Sequence, residues 1–342
     1  MKKRIKYLIL IPIIALILIM LLFIPNKNST PSLSELHQKG SYDLIIENYK
    51  AGKYNEIIDY KENQLIADAF FQTEDFNGSQ IIYSSILTDK SINDLERAEL
   101  LYSYAMVLVK LKNIDEAFAA LEEGVIESES DLTISRKLKR SYGLLAKSFP
   151  REYNVENALI YLKDVIDLDI TGDDYEANYA YALLLYYAEE YEGSLIYAQN
   201  TLKIKFDYYP AETLIPKIYF ESGNTEKAIN ELHSLILKYP TDSFFNLYLA
   251  QIYEMNENTN DAIRHYKKAL EYDKENIEIH MGLIRCYITE NKINALLDEL
   301  IVFKNTFPDD NKYSQIINKL IDKYFPKLLT EEDIIEDIEE KN

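Results

Sequence analysis

The chain has no tryptophan, one cysteine, four histidines and nine glycines in 342 residues. Each shortage excludes something. A lone cysteine, Cys286, forbids an intramolecular disulfide and leaves no cysteine pair for a metal. Scarce glycine argues against a sandwich of short strands, whose turns need it, and suits helices joined by short turns. No two glycines lie close enough to cradle a phosphate, and H-E-x-x-H, C-x-x-C and G-x-S-x-G are all missing. The histidines, His37, His233, His265 and His280, are scattered, and His280 lies six residues before Cys286, on another face of a helix. They are expected at the surface with the cysteine in the core, so no catalytic residue, cofactor or metal is assigned. Basic residues are also in deficit: 37 against 57 acids, for a net charge of −20. Phosphate binding needs a basic footprint, so nucleic acid is disfavoured as a partner.

The start of the chain is a different matter. "MKKRIKYLILIPIIALILIMLLFIP" places Lys2, Lys3, Arg4 and Lys6 before an uncharged apolar run from Tyr7 to Pro25. At helical rise that run spans roughly 28 Å, close to a bilayer's hydrocarbon thickness. A cleaved signal peptide has a shorter apolar core and small residues at its cleavage site; here the run ends in "FIPNKNSTPS". The expectation is an uncleaved single-pass anchor over residues 7–25 with a cytoplasmic basic tip, 1–6. The positive-inside rule then puts the remainder outside the cytoplasm, behind a polar tether over 26–37.

Beyond the tether the sequence repeats. Tyr219, Tyr253 and Tyr287 are 34 residues apart, as are Ser194, Ala228 and Ala262. Each period carries two amphipathic helical patterns around a short polar turn such as "ESGNTEKA". Small residues twelve apart, Ala67/Ser79, Ala105/Ala117, Ala182/Ser194 and Ala250/Ala262, mark where two helix backbones approach closely. Pro216 falls at one of these small places, inside a first helix, where a bend is expected.

The unit 243–276, with Leu249-Ala250, Tyr253, Ala262, Tyr266 and Ala269, resembles the tetratricopeptide repeat, W-x2-L-G-x2-Y followed by A-x3-F and Ala. It has Asn246 in place of the Trp and Lys274 in place of the final Pro. In 277–310, Leu283-Ile284, Tyr287 and Pro308 match, while Leu296 takes an alanine place. About eight units are expected over 38–310, near 38–64, 60–93, 98–131, 132–170, 175–208, 209–242, 243–276 and 277–310. The first rests on "GKYNEIIDY", and the fourth carries about three extra residues around "SFPREYNVENA". A capping helix follows over 311–326, then an acidic tail, 327–342, with Thr330 and Asp333 spaced as a weak capping box. The fold class is all-α, and the resemblance implies a right-handed superhelix of antiparallel helix pairs.

The resemblance further implies that first helices line a concave groove. By register it would hold Tyr102, Tyr179, Tyr186, Tyr187, Phe220, Phe244 and Leu247. Such aromatic clusters mark partner sites, although some of these rings would pack between units instead. Lys217 is nearly alone among the central groove positions, which disfavours capture of an acidic C-terminal tail. With the chain's acidic average, the expected partner is a protein or peptide, apolar with some basic residues. "DLDITGDDYEAN" (167–178) imitates a calcium loop through Asp167, Asp169, Thr171 and Gly172, but ends in Asn178 where a glutamate belongs; a turn between units explains it as well. The functional expectation is a membrane-anchored interaction scaffold at the cell envelope. Two alternatives stand beside it: an assembly factor whose inverted anchor leaves the repeats in the cytoplasm, and an accessory enzyme with a cryptic site.

Overall fold

The computed structural model describes residues 31–54, 59–152, 155–308 and 311–326. Among these are seventeen helices and no strand. The expected anchor, the basic tip and the acidic tail lie outside the described residues, and within them no helix is long and apolar enough to cross a membrane.

Two compact units divide the chain, residues 1–142 and 143–342. The boundary falls in the fourth repeat, the one that carries the extra residues. The first unit holds α1 (Leu33–Gln38), α2 (Tyr42–Lys50), α3 (Tyr60–Gln72), α4 (Phe76–Ile86), α5 (Asp94–Lys110), α6 (Ile114–Glu127) and the start of α7 (Leu132–Ser148). The second holds the end of α7, then α8 (Val155–Asp167), α9 (Tyr175–Tyr187), α10 (Tyr191–Ile204), α11 (Tyr209–Glu221), α12 (Thr225–Lys238), α13 (Ser243–Met255), α14 (Thr259–Leu270), α15 (Ile277–Thr289), α16 (Ile293–Thr306) and α17 (Asn311–Tyr324).

Helices α3/α4, α5/α6, α9/α10, α11/α12, α13/α14 and α15/α16 pack as consecutive pairs, and α17 buries Ile317 and Ile321 against the last of them. The near end departs from expectation. Residues 33–37, assigned to the tether, are helical. Ser32 caps α1 by accepting from the Glu35 amide, Glu35 accepts in return from the Ser32 amide, and Leu33 and Leu36 are buried. The segment "GKYNEIIDY" falls partly on residues 55–58, outside the described residues.

The small positions sit where helices cross. Ala67, Ser79, Ala105, Ala117, Ala182, Ser194, Ala250 and Ala262 are all wholly buried. Where serine replaces alanine its hydroxyl becomes a tie between helices: Ser79 Oγ donates to the Ala67 carbonyl at 2.8 Å and Ser194 Oγ to that of Ala182 at 2.7 Å. Helix α11 runs through Pro216, which is buried at the same place in its own unit.

The turns inside the repeats share one conformation. Glu189, Gly223, Glu257 and Asn291 follow one another at the repeat period, each with positive φ, between 53° and 79°. Each ends a first helix, and the amide after it donates back to a carbonyl five residues earlier, as in Asn224 to Tyr219 and Asn258 to Tyr253. Only one of the four is glycine, so these turns hold with little of it.

Candidate functional site

In the second unit, α9, α11 and α13 are the first helices of successive repeats. Asp174 caps α9 by accepting from the Ala177 amide, and Asp242 caps α13 by accepting from the Phe244 amide. Helix α11 starts with Pro210 in its first turn, where the missing amide costs nothing. Its first turn is held from the side. Glu212 is buried, pairs with Lys238 and accepts from the Tyr239 hydroxyl at 2.6 Å, while Tyr209 donates to Asp242 at 2.6 Å.

On this scaffold the rings fall into three contact groups. Tyr186 and Tyr187 meet edge to face with centroids 5.4 Å apart. Phe220 meets Tyr248 at 6.4 Å, and Phe244 stacks on Tyr248 at 6.1 Å with planes 14° apart. Tyr179 abuts Tyr208 at 5.3 Å. Burial pushes the Tyr179 and Tyr186 hydroxyls up to about 12, so both stay protonated donors. Cations lie over three of these rings: Lys147 over Tyr179 at 5.7 Å, Arg151 over Tyr187 at 5.4 Å and Lys217 over Phe244 at 5.1 Å. Lys217 is half-buried, and burial lowers its ammonium below the ordinary value.

Of the seven expected groove residues, Tyr179, Tyr186, Tyr187, Phe220 and Phe244 lie on these first helices, half-buried against the core clusters or, for Tyr187, just exposed. Tyr102 belongs to the first unit, where the Lys137 ammonium sits 3.6 Å above its ring. Leu247 is a correction. It is only 8% exposed and packs in the core cluster that contains Ala250 and Ala262, leaving no side chain to offer a partner. Tyr248 is the residue the register missed. Its signal was the four-residue spacing from Phe244, which puts both rings on one face of α13.

The other candidates resolve into structure. In the 167–178 turn, Asp167 pairs with Lys163, the Thr171 hydroxyl donates to Asp169 and Asp173, and Asn178 is buried against the Asp174 carbonyl. Among the described residues no group of three potential ligands could hold a metal. Cys286 is buried, and that pushes its thiol up to about 12, far from a thiolate. His265 and His280, expected at the surface, are both buried.

A tetratricopeptide repeat family model matches residues 253–320. Two solved structures share the fold. The C-terminal part of a tetratricopeptide repeat protein from Cytophaga hutchinsonii superposes with a TM-score of 0.57 at 17% identity, covering 73% of this chain and 98% of that one. A tetratricopeptide repeat protein from Parabacteroides merdae gives 0.54 at 15% identity, covering 78% and 98%. No curated protein matches the chain. The match over residues 253–320 and the shared fold support an all-helical array of the tetratricopeptide repeat kind.

Proposed function

We propose that this tetratricopeptide repeat chain is a membrane-anchored scaffold at the cell envelope, which holds a peptide segment of a partner protein on the first-helix face of its second unit. The observation that carries the reading is the half-exposed aromatic groups on successive first helices, Tyr186 with Tyr187 on α9 and Phe220 of α11 with Tyr248 and Phe244 of α13, with Tyr179 against Tyr208 beside them. Rings left half-exposed in contact with one another, rather than scattered singly, are the composition of a partner site. Large rigid rings supply contact area with little loss of side-chain freedom, so a few of them would carry most of the affinity. The apolar run over 7–25 and the bases before it support the anchor and an extracytoplasmic array.

The test is capture. Crosslinking and pull-down from membranes with the full-length protein identifies the partner. Tyr186→Ala combined with Phe244→Ala should then weaken capture by about tenfold or more, with helicity unchanged. Undiminished capture, or an unfolded array, would assign these rings to packing.

A further inference from the structure

We propose that His233 and His265 form a site for a late first-row transition cation such as Zn²⁺, which would tie the second helices of two successive repeats together. The site lies on α12 and α14, away from the first-helix rings, and does not depend on their reading as a partner face.

His265 of α14 is only 3% exposed. Its Nδ1 is 3.0 Å from Asn246 Oδ1, and the Tyr253 ring stacks on it at 5.6 Å with planes 25° apart. These contacts fix the ring. With Nδ1 donating to Asn246, the lone pair of a neutral imidazole falls on Nε2. That Nε2 is buried and has no partner among the described residues. Burial also keeps the ring neutral, its pKa lowered to about 4. His280, in the next repeat, is the contrast: Glu299 takes one of its nitrogens and the Lys274 carbonyl the other. A histidine whose second nitrogen donates to a carbonyl oxygen has the form of a metal ligand, oriented from behind and left basic in front.

The ring next to it from α12 is His233, with centroids 5.9 Å apart and planes inclined by 59°. Zinc–imidazole bonds are about 2.0–2.1 Å and a ring nitrogen stands about 1.1 Å from its centre, so two rings sharing an ion have centres roughly 5–6 Å apart. His233 is exposed, so its side chain can turn a nitrogen toward the ion. No third histidine, cysteine or carboxylate of the described residues completes a group with the two rings, so water would fill the remaining positions. Charge gives little help. Arg264 and Lys268 bear on His265 against a cation, and Asp261 in its favour. Bonds to nitrogen must therefore supply the affinity, which suits Zn²⁺, Ni²⁺ or Cu²⁺ and disfavours the oxygen-seeking Mg²⁺ and Ca²⁺. An ion bound only by the folded protein would stabilise it.

The experiment is calorimetric titration of Zn²⁺ into the full-length protein, prepared in detergent without a histidine tag, with thermal midpoints measured alongside. One saturable site should appear, and the midpoint should rise with Zn²⁺ but not with Mg²⁺. His233→Ala, at an exposed position, should leave the metal-free midpoint unchanged, weaken Zn²⁺ by at least about tenfold and abolish the rise. His265→Gln should weaken it likewise, and His37→Ala should leave binding as it was. Absence of saturable uptake, uptake unchanged in His233→Ala, or uptake lost equally in His37→Ala would overturn the site.

Discussion

Asn178, Glu212, Asn246 and His280 stand at the repeat period, in the place where the family signature has tryptophan, and all four are buried. A buried polar group needs a partner, and two of these find one nineteen residues on, in the second helix of the same pair. His265 Nδ1 bonds Asn246 Oδ1 at 3.0 Å, and His280 Nδ1 bonds Glu299. The surroundings push the two histidines toward opposite charges. His280 lies between two acceptors, Glu299 and the Lys274 carbonyl, an arrangement that favours donation from both ring nitrogens and so the imidazolium. Burial opposes that charge, but the bonds to Glu299 and Lys274 outweigh it and raise its pKa. His265 has one acceptor, its Nε2 is buried with no partner among the described residues, and burial lowers its pKa to about 4, with Arg264 and Lys268 adding to the effect. The signs are opposite. Stability from His280 is complete below its unfolded value of about 6.5 and is lost as pH rises through its higher folded value. Stability from neutral His265 is complete above about 6.5 and is lost as pH falls toward its folded value. Denaturation midpoints measured against pH should show both limbs. His280→Gln should flatten the alkaline limb and His265→Gln the acid one; a parent curve unchanged from pH 5 to 8 would refute both charge assignments. None of this was legible in the sequence. A lone histidine on a helix looks the same exposed or buried, and the pairing appears only when the Trp place is followed through successive repeats.

Elements were legible because their signal is repeated. A single degenerate repeat is weak evidence, but small residues twelve apart, in units 34 apart, locate both helices of each pair and the contact between them. That contact is the source of the second prediction. Ala262 is wholly buried in the cluster with Ala250, Tyr266 and Leu283, and nearby an added Cβ at Gly282 would come within 2.3 Å of the Tyr266 ring. There is no slack for three more heavy atoms. Ala262→Leu should overpack the crossing and destabilise by about 1–3 kcal/mol, read as a lowered denaturation midpoint. An unchanged midpoint would mean that the register is displaced. Where the repeat signal weakens, legibility weakened with it. Helix α1 was missed because its six residues are too short to show a period, and its capping box was overlooked among the polar residues of the tether. Leu247 was misplaced because a groove position and a core position on α13 differ by a small rotation about the helix axis. Hydrophobicity cannot separate them when both faces are apolar.

At the scale of each compact unit, contacts run between an element and the next one or two along the chain, so stability is approximately a sum of repeats and their neighbouring interfaces. The capping helix follows from that: the last pair has no next unit, and Ile317 and Ile321 supply what one would have covered. The same locality separates function from folding. A substitution confined to the ring face leaves the crossings intact, whereas one at a crossing disturbs its own unit and the two beside it. The proposed anchor is a separate question from that locality, and it rests on the sequence of residues 7–25. Four bases precede the run, and Lys27 and Lys39 are the only two in the twenty or so residues after it. In the proposed topology that asymmetry would keep the short N-terminal tip inside and carry the array across. Protease added to intact cells or spheroplasts should then degrade the repeats without lysis. Protection that ends only on lysis would reverse the topology, putting the ring face before cytoplasmic partners. Release of the repeats into the medium without detergent would show instead that the run is cleaved and that the array acts unanchored.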